Sequence, residues 1–162
     1  MRVAIYPGTF DPVTNGHLDI LKRASLLFNK VIVAIAIDNE KESLFKIEER
    51  KKFMEAVVKD IPNVEVESFD GLLMHFVQKK KAHAIIRGLR AVSDFEYEFQ
   101  LALMNKKLEK NVETIFLMTS SEYAFLSSTI IKQVVSLNGN INGLVPEIVE
   151  IALKKKFNWE KA

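Results

Sequence analysis

The 162 residues contain no cysteine. That excludes disulfides, thiolate metal sites and thiol nucleophiles, and it suits a reducing cytoplasm. Long apolar runs are missing too: no stretch stays hydrophobic for the roughly 20 residues a bilayer-spanning helix needs. The opening Met1-Arg2-Val3-Ala4-Ile5-Tyr6-Pro7 is broken too early by Pro7 to read as a secretory signal. An excess of one charge is absent as well, since 23 Lys and Arg against 21 Asp and Glu leave +2. Nucleic-acid binding would require a larger basic excess or a basic stripe. The lysine runs at 79–81 and 154–156 close predicted helices, where cations offset the negative end of the helix dipole. Neither Gly-x-x-x-x-Gly-Lys-Ser/Thr nor Gly-x-Gly-x-x-Gly occurs after the first strand, so phosphate must be held in another way.

What is present is a hydrophobic fraction of 48%, enough for one core. Strand-like apolar runs fall at 3–6, 31–37, 64–67, 84–86 and 114–118, and helical spacing fills the gaps. Leu21, Ala24, Leu27 and Phe28 share one helical face; Ile47, Met54, Val58 and Ile61 share another. Leu72, Leu73, Phe76 and Val77 mark a third helix. Phe95, Phe99 and Leu103 mark a fourth, starting near Asp94. A fifth runs from Ser128 to Leu137, and a sixth starts at Pro146. Residues 138–143 form a helix stop and turn too short to separate domains. This alternation predicts an α/β fold: one doubly wound, Rossmann-like domain over residues 1–162, with a five-stranded parallel sheet, helices on both faces and a flexible tail at 158–162. Ligands of such sheets bind beyond the carboxyl ends of the strands, where strand order reverses.

The unusual residues cluster there. Pro7-Gly8-Thr9-Phe10-Asp11-Pro12-Val13-Thr14-Asn15-Gly16-His17 follows strand one. Gly8 there can take backbone angles closed to other residues and lets a ligand approach the backbone. His17 falls in the first helical turn, where free N–H groups and the dipole favour phosphate and an imidazole can donate to a phosphate oxygen. His75 and His83 read as structural residues. After strand four, Arg87-Gly88-Leu89-Arg90 offers two guanidinium groups for bidentate phosphate contact. After strand five, Leu126-Ser127-Ser128-Thr129-Ile130-Ile131-Lys132 reads as a serine N-cap whose hydroxyls and N–H groups could also meet an anion. Lys41, after strand two, could fold over the same crevice.

Thr14-Asn15-Gly16-His17 resembles the (His/Thr)-x-Gly-His signature of the nucleotidyltransferases, and Ser127-Ser128-Thr129-Ile130-Ile131-Lys132 resembles their second motif. A finer resemblance, from Val3 to about Phe157, is to the bacterial phosphopantetheine adenylyltransferases. It rests on Tyr6-Pro7-Gly8-Thr9-Phe10-Asp11-Pro12, on threonine at position 14, and on Ile86-Arg87-Gly88-Leu89-Arg90-Ala91-Val92-Ser93-Asp94-Phe95-Glu96-Tyr97-Glu98. The chain departs from that pattern with Tyr123 where many relatives have tryptophan and Leu126 where isoleucine is common. Both keep the apolar character.

The resemblance implies transfer of the adenylyl group of ATP to 4′-phosphopantetheine, giving dephospho-coenzyme A and pyrophosphate. It implies that Thr9, Lys41, Leu73 and Arg87 meet the acceptor. ATP would meet Thr9, Phe10, His17, Gly88, Leu89, Arg90 and Glu98, together with Tyr123, Ala124, Phe125, Leu126, Ser127, Ser128 and Thr129. His17, Lys41 and Arg90 would stabilise the charge on the transferring group. Magnesium would arrive on the triphosphate, with no protein metal site. A cytoplasmic homohexamer inhibited by coenzyme A is implied as well. The alternatives are another nucleotidyltransferase, such as one acting on nicotinamide mononucleotide, or a non-catalytic nucleotide-binding module. Neither a membrane nor a nucleic acid is an expected partner.

Overall fold

In the computed structural model, which describes residues 1–37 and 43–159 apart from the side chains of Val92 and Ser93, five strands form one parallel sheet. They are β1 (Val3–Gly8), β2 (Lys30–Ala36), β3 (Val64–Phe69), β4 (Ala84–Leu89) and β5 (Glu113–Met118). Helices α1 (Asn15–Leu27), α2 (Ile47–Val58), α3 (Leu73–Lys79) and α4 (Val92–Leu108) alternate with them, and α5 (Ser128–Ser136) and α6 (Glu147–Lys156) close the chain. The strand order is β3-β2-β1-β4-β5. The chain winds outward from β1 to β3, then returns to the far side of β1 for β4. The reversal therefore falls between β1 and β4, and a crevice opens beyond their carboxyl ends.

The pleat divides the interior into two layers. Ala4, Tyr6, Val31, Val33, Ile35 and Ile86 pack with Ile20, Leu21 and Ala24 of α1, Phe53 and Met54 of α2, Ile131 of α5 and Leu153 of α6. Val3, Ile5, Ile32, Ala34 and Ile85 face the other way, against Met74 and Val77 of α3. Because both faces of β1 and β2 are covered, their burial is nearly continuous, as parallel strands require. Among the described residues, no helix is long and apolar enough to cross a membrane.

Several boundaries differ from the sequence reading. Strand β4 runs on to Leu89, so Arg87 and Gly88 lie within the strand rather than after it, because their backbones pair with Phe116 and Leu117 of β5. Helix α4 begins at Val92, two residues before Asp94, with Ala91 as an N-cap that makes no side-chain bond. Helix α2 stops at Val58, and Ile61 instead turns the chain through its N–H to the Val58 carbonyl. Near the chain's end, Asn158 has φ 50° and turns Trp159 back toward α6. The Trp159 N–H donates to the Lys154 carbonyl at 2.9 Å, and Lys154 Nζ sits 4.6 Å from the indole centroid.

Candidate active site

The crevice at the reversal point encloses about 400 Å³. Its floor is the end of β1 and β4: Tyr6, Pro7 and Gly8 beside Arg87 and Gly88. One wall is the start of α1, with Thr14, Gly16, His17 and Ile20; the opposite side is Arg90, Asp94, Tyr97 and Glu98; Thr119, Leu126, Ser127 and Ser128 close the third.

The start of α1 settles the state of its histidine. Thr14 caps the helix, its Oγ1 accepting from the His17 N–H at 3.3 Å. In return the Thr14 N–H donates to His17 Nδ1 at 3.0 Å. This is the reciprocal bonding of a capping box, with imidazole where glutamate or glutamine is usual. A nitrogen that accepts from a backbone N–H carries no proton, so the neutral ring bears its hydrogen on Nε2. Burial, and then the positive charges of Arg90 and Arg87, lower the His17 pKa from 6.5 to about 4. At neutral pH His17 is therefore an N–H donor facing the crevice and not a cation.

A long-range proton–nitrogen spectrum should show His17 as the Nε2–H tautomer at pH 6, with a titration midpoint near 4. A midpoint above 6 would remove this assignment. The sign for stability follows from the same shift. Between pH 6.5 and about 4 the unfolded chain takes up a proton at position 17 that the folded chain refuses. This contribution is thus full above 6.5 and lost as pH falls through that window.

Phe10 supports the imidazole from below. Its ring stands edge-on to His17 at 5.1 Å between centroids and edge-on to Tyr6 at 5.4 Å. The residue at unusual backbone angles in this turn is Phe10, at φ 48°, not Gly8. What Gly8 supplies is room: a Cβ there would lie 2.9 Å from the Phe10 ring.

Both arginines are already oriented by carboxylates. Arg87 donates from Nε to Glu98 Oε2 at 2.7 Å, from Nη2 to the second Glu98 oxygen, and from Nη1 to the Pro7 carbonyl at 3.3 Å. Burial works against the Arg87 charge, but the hydrogen bonds and charge of Glu98 outweigh it and hold the pKa above its ordinary value. Arg90 donates to both oxygens of Asp94, at 3.1 and 3.3 Å, and to the Leu126 carbonyl at 3.3 Å. A guanidinium has five N–H donors, so each retains hydrogens for a phosphate while its plane is fixed.

At the head of α5, Ser127 is the N-cap, its Oγ accepting from the Ile130 N–H at 3.1 Å. Its own hydroxyl hydrogen stays available. Ser128 donates its hydroxyl to the Pro12 carbonyl at 2.7 Å, which ties α5 to the first loop.

Of the expected site residues, Phe10, His17, Arg87, Gly88, Arg90, Glu98, Leu126, Ser127 and Ser128 line the crevice. Thr9, Leu89, Tyr123, Ala124, Phe125 and Thr129 neighbour it in the chain without lining it. Thr9, Phe125 and Thr129 are exposed, whereas Leu89 is buried. Leu73 packs, partly buried, on the α3 layer of the core. Lys41 lies outside the described residues. Tyr6, Thr14, Asp94 and Tyr97, read above only as parts of motifs, also line the crevice, as do Ile20 and Thr119, which no motif marked. Asp94 was readable, since a carboxylate four residues after Arg90 can pair with it on one face of a turn. Among the described residues, no three His, Asp or Glu side chains could together hold a metal ion.

Comparison with known proteins adds relatives and a fold neighbour to this description. Residues 5–134 match the family described as cytidylyltransferase-like. A phosphopantetheine adenylyltransferase from Moorella thermoacetica is 58% identical over 159 residues, covering 98% of this chain and 99% of the relative. One from Clostridium tetani matches at the same identity and coverage. A crystal structure of a candidate nicotinate-nucleotide adenylyltransferase from Vibrio parahaemolyticus superposes with a TM-score of 0.72 over 99% of this chain and 98% of that one. Its identity is 18%, so the likeness is one of fold.

Proposed function

Because this chain belongs to the phosphopantetheine adenylyltransferases, within the cytidylyltransferase-like family, we propose specific roles for the side chains around its crevice. The enzyme transfers the adenylyl group of ATP to 4′-phosphopantetheine, giving dephospho-coenzyme A and pyrophosphate. The observation that carries the site assignment is a neutral imidazole donor flanked by two carboxylate-oriented guanidiniums at the sheet's reversal point.

An oxygen of the acceptor's phosphate attacks the α-phosphorus. The new P–O bond forms as the bond to the bridging oxygen breaks, and pyrophosphate leaves with that electron pair. A phosphate monoester is largely dianionic at pH 7, its second pKa being about 6, so the nucleophile needs no general base. The site has only to hold two anions in line and to stabilise charge as it develops. His17 Nε2–H donates to an α-phosphate oxygen. Arg90, Ser127 and the head of α5 take the remaining nucleotide phosphates, with Phe10, Gly88, Leu89, Leu126 and the 123–129 turn around the rest of ATP. Arg87, held by Glu98, takes the acceptor phosphate. Thr9, Lys41 and Leu73 belong to the acceptor side of the same proposal, Lys41 adding a cation there. Magnesium enters on the triphosphate as part of the substrate, since the two carboxylates lining the crevice, Asp94 and Glu98, are held by Arg90 and Arg87.

The arrangement makes Glu98 a support for acceptor binding. Glu98→Gln should raise the acceptor's KM about tenfold, the scale of losing one bond to a charged group, with saturated turnover nearly unchanged. An unaltered KM would detach Glu98 from the acceptor.

The homohexamer belongs to this proposal too. Helix α4 leaves Phe95, Phe99, Leu103, Met104 and Leu108 exposed, an apolar face suited to association between copies. Sedimentation should give a particle six times the 18.5 kDa chain mass, and Phe99→Glu should shrink it. A monomer at micromolar concentration would refute the assembly. Coenzyme A shares the acceptor's pantetheine arm and is proposed to compete for the crevice. A cytoplasmic location, where ATP is abundant, completes the reading.

The deciding experiment is pyrophosphate release from magnesium and ATP with 4′-phosphopantetheine, beside nicotinamide mononucleotide as control acceptor. Release with the first alone supports the proposal. Release with the control alone keeps the chemistry and moves the substrate. No release from folded, ATP-binding protein would leave a nucleotide-binding module.

A further inference from the structure

Among the described residues, two charged side chains that the reaction does not use are almost fully buried: Asp11, 4% exposed, and Arg50, 3% exposed. A buried charge is costly unless hydrogen bonds compensate it, so the partners reveal the purpose. Arg50, in the first turn of α2, reaches back under the crevice. Its Nη1 donates to the Thr9 carbonyl at 2.7 Å and the Ala36 carbonyl at 3.1 Å, and its Nε donates to the Phe45 carbonyl at 3.1 Å. Asp11 accepts from the Leu44 N–H at 2.8 Å, the Phe45 N–H at 2.9 Å and Lys132 Nζ at 3.1 Å. Phe45 is thus gripped from both sides, its N–H by Asp11 and its carbonyl by Arg50.

Between Thr9 and Asp11 lies Phe10, at φ 48°. A bulky residue in the left-handed region stays there only where its surroundings dictate it. Here they do, since the carbonyl before Phe10 is fixed by Arg50 and the side chain after it by Leu44, Phe45 and Lys132. The ring so placed stands 5.1 Å from the His17 imidazole.

We propose that Arg50 and Asp11 are positioning residues for adenylyl transfer: they lock the turn from Thr9 to Asp11 so that the Phe10 ring holds His17 against the reacting phosphate. The inference rests on the adenylyl-transfer reading of the crevice. Lysine at position 50 keeps the charge but cannot span three carbonyls with a planar fork.

The test compares Arg50→Lys and Asp11→Asn with the unaltered enzyme, by pyrophosphate release at saturation and by the His17 side-chain nitrogen resonances. Turnover should fall roughly ten- to a hundredfold, as for other displacements of a reacting group, while the KM for ATP moves less than about threefold. The His17 resonances should move or broaden in step. Turnover within about twofold of the unaltered enzyme overturns the proposal. So does a loss of turnover with His17 resonances unchanged, because the effect would then not pass through the imidazole. Should Arg50→Lys fail to fold, Asp11→Asn decides by the same two readouts. If the unaltered enzyme itself releases no pyrophosphate, the adenylyl-transfer reading fails, and the resonances alone still judge the lock.

Discussion

Replacing His17 with alanine should lower saturated turnover by roughly 10²–10³, the scale of losing one donor preorganised for transition-state charge. The effect should appear in turnover more than in the KM for ATP, because the hydrogen bond strengthens only as negative charge gathers on the transferring group. Since the ring is already neutral at pH 7 in the free enzyme, the unaltered protein should show no loss of turnover attributable to a histidine of ordinary pKa. Folding also feels the change, because the Thr14 N–H loses its acceptor when the imidazole goes. Melting curves recorded beside the kinetics separate the two. If His17→Ala is folded and turns over at a near-normal rate, the stabilising role assigned to the imidazole is wrong.

The second large effect is expected at Gly8, where alanine should cut turnover at least about tenfold and destabilise the fold by about 1–3 kcal/mol. Backbone conformation is not the reason, since Gly8 pairs in register with Ile35 as an ordinary end of β1. Crowding is. The added methyl would lie 2.9 to 3.3 Å from three atoms of the Phe10 ring. That ring is 3% exposed and is wedged between Tyr6 and His17, so relief can come only by moving the imidazole or the turn. A Gly8→Ala enzyme with normal turnover and melting temperature would mean that the ring yields freely and positions nothing.

How much of this could be read from the chain differs from level to level. The five strands were legible because each is a short apolar run bounded by helical spacing, and the reversal point then located the crevice without any motif. Glycine, histidine and arginine near strand ends were legible as the lining of one crevice. The protonation state of His17 was not, because it depends on the Thr14 backbone beneath the ring and on guanidiniums some seventy residues away in sequence. The roles of Asp11 and Arg50 were hidden for the same reason: their partners come from β2, the segment before α2, and α5. Helix α4 was placed late because its N-cap, Ala91, has no polar side chain to announce it. Leu73 shows the limit of periodicity, which places it on a core face without saying whether a ligand also touches that face.

The capping box at the start of α1 has a consequence for any attempt to engineer the protein. Position 17 answers to two demands that favour different residues. A glutamate there is the usual reciprocal partner for the N-cap threonine and would add a negative charge where the helix dipole welcomes one. The same carboxylate would face the phosphates with an anion in place of a donor. A search for thermal stability alone would therefore be drawn to a substitution that silences the enzyme. The histidine marks a compromise in which the helix accepts a weaker start so that the crevice keeps its hydrogen-bond donor.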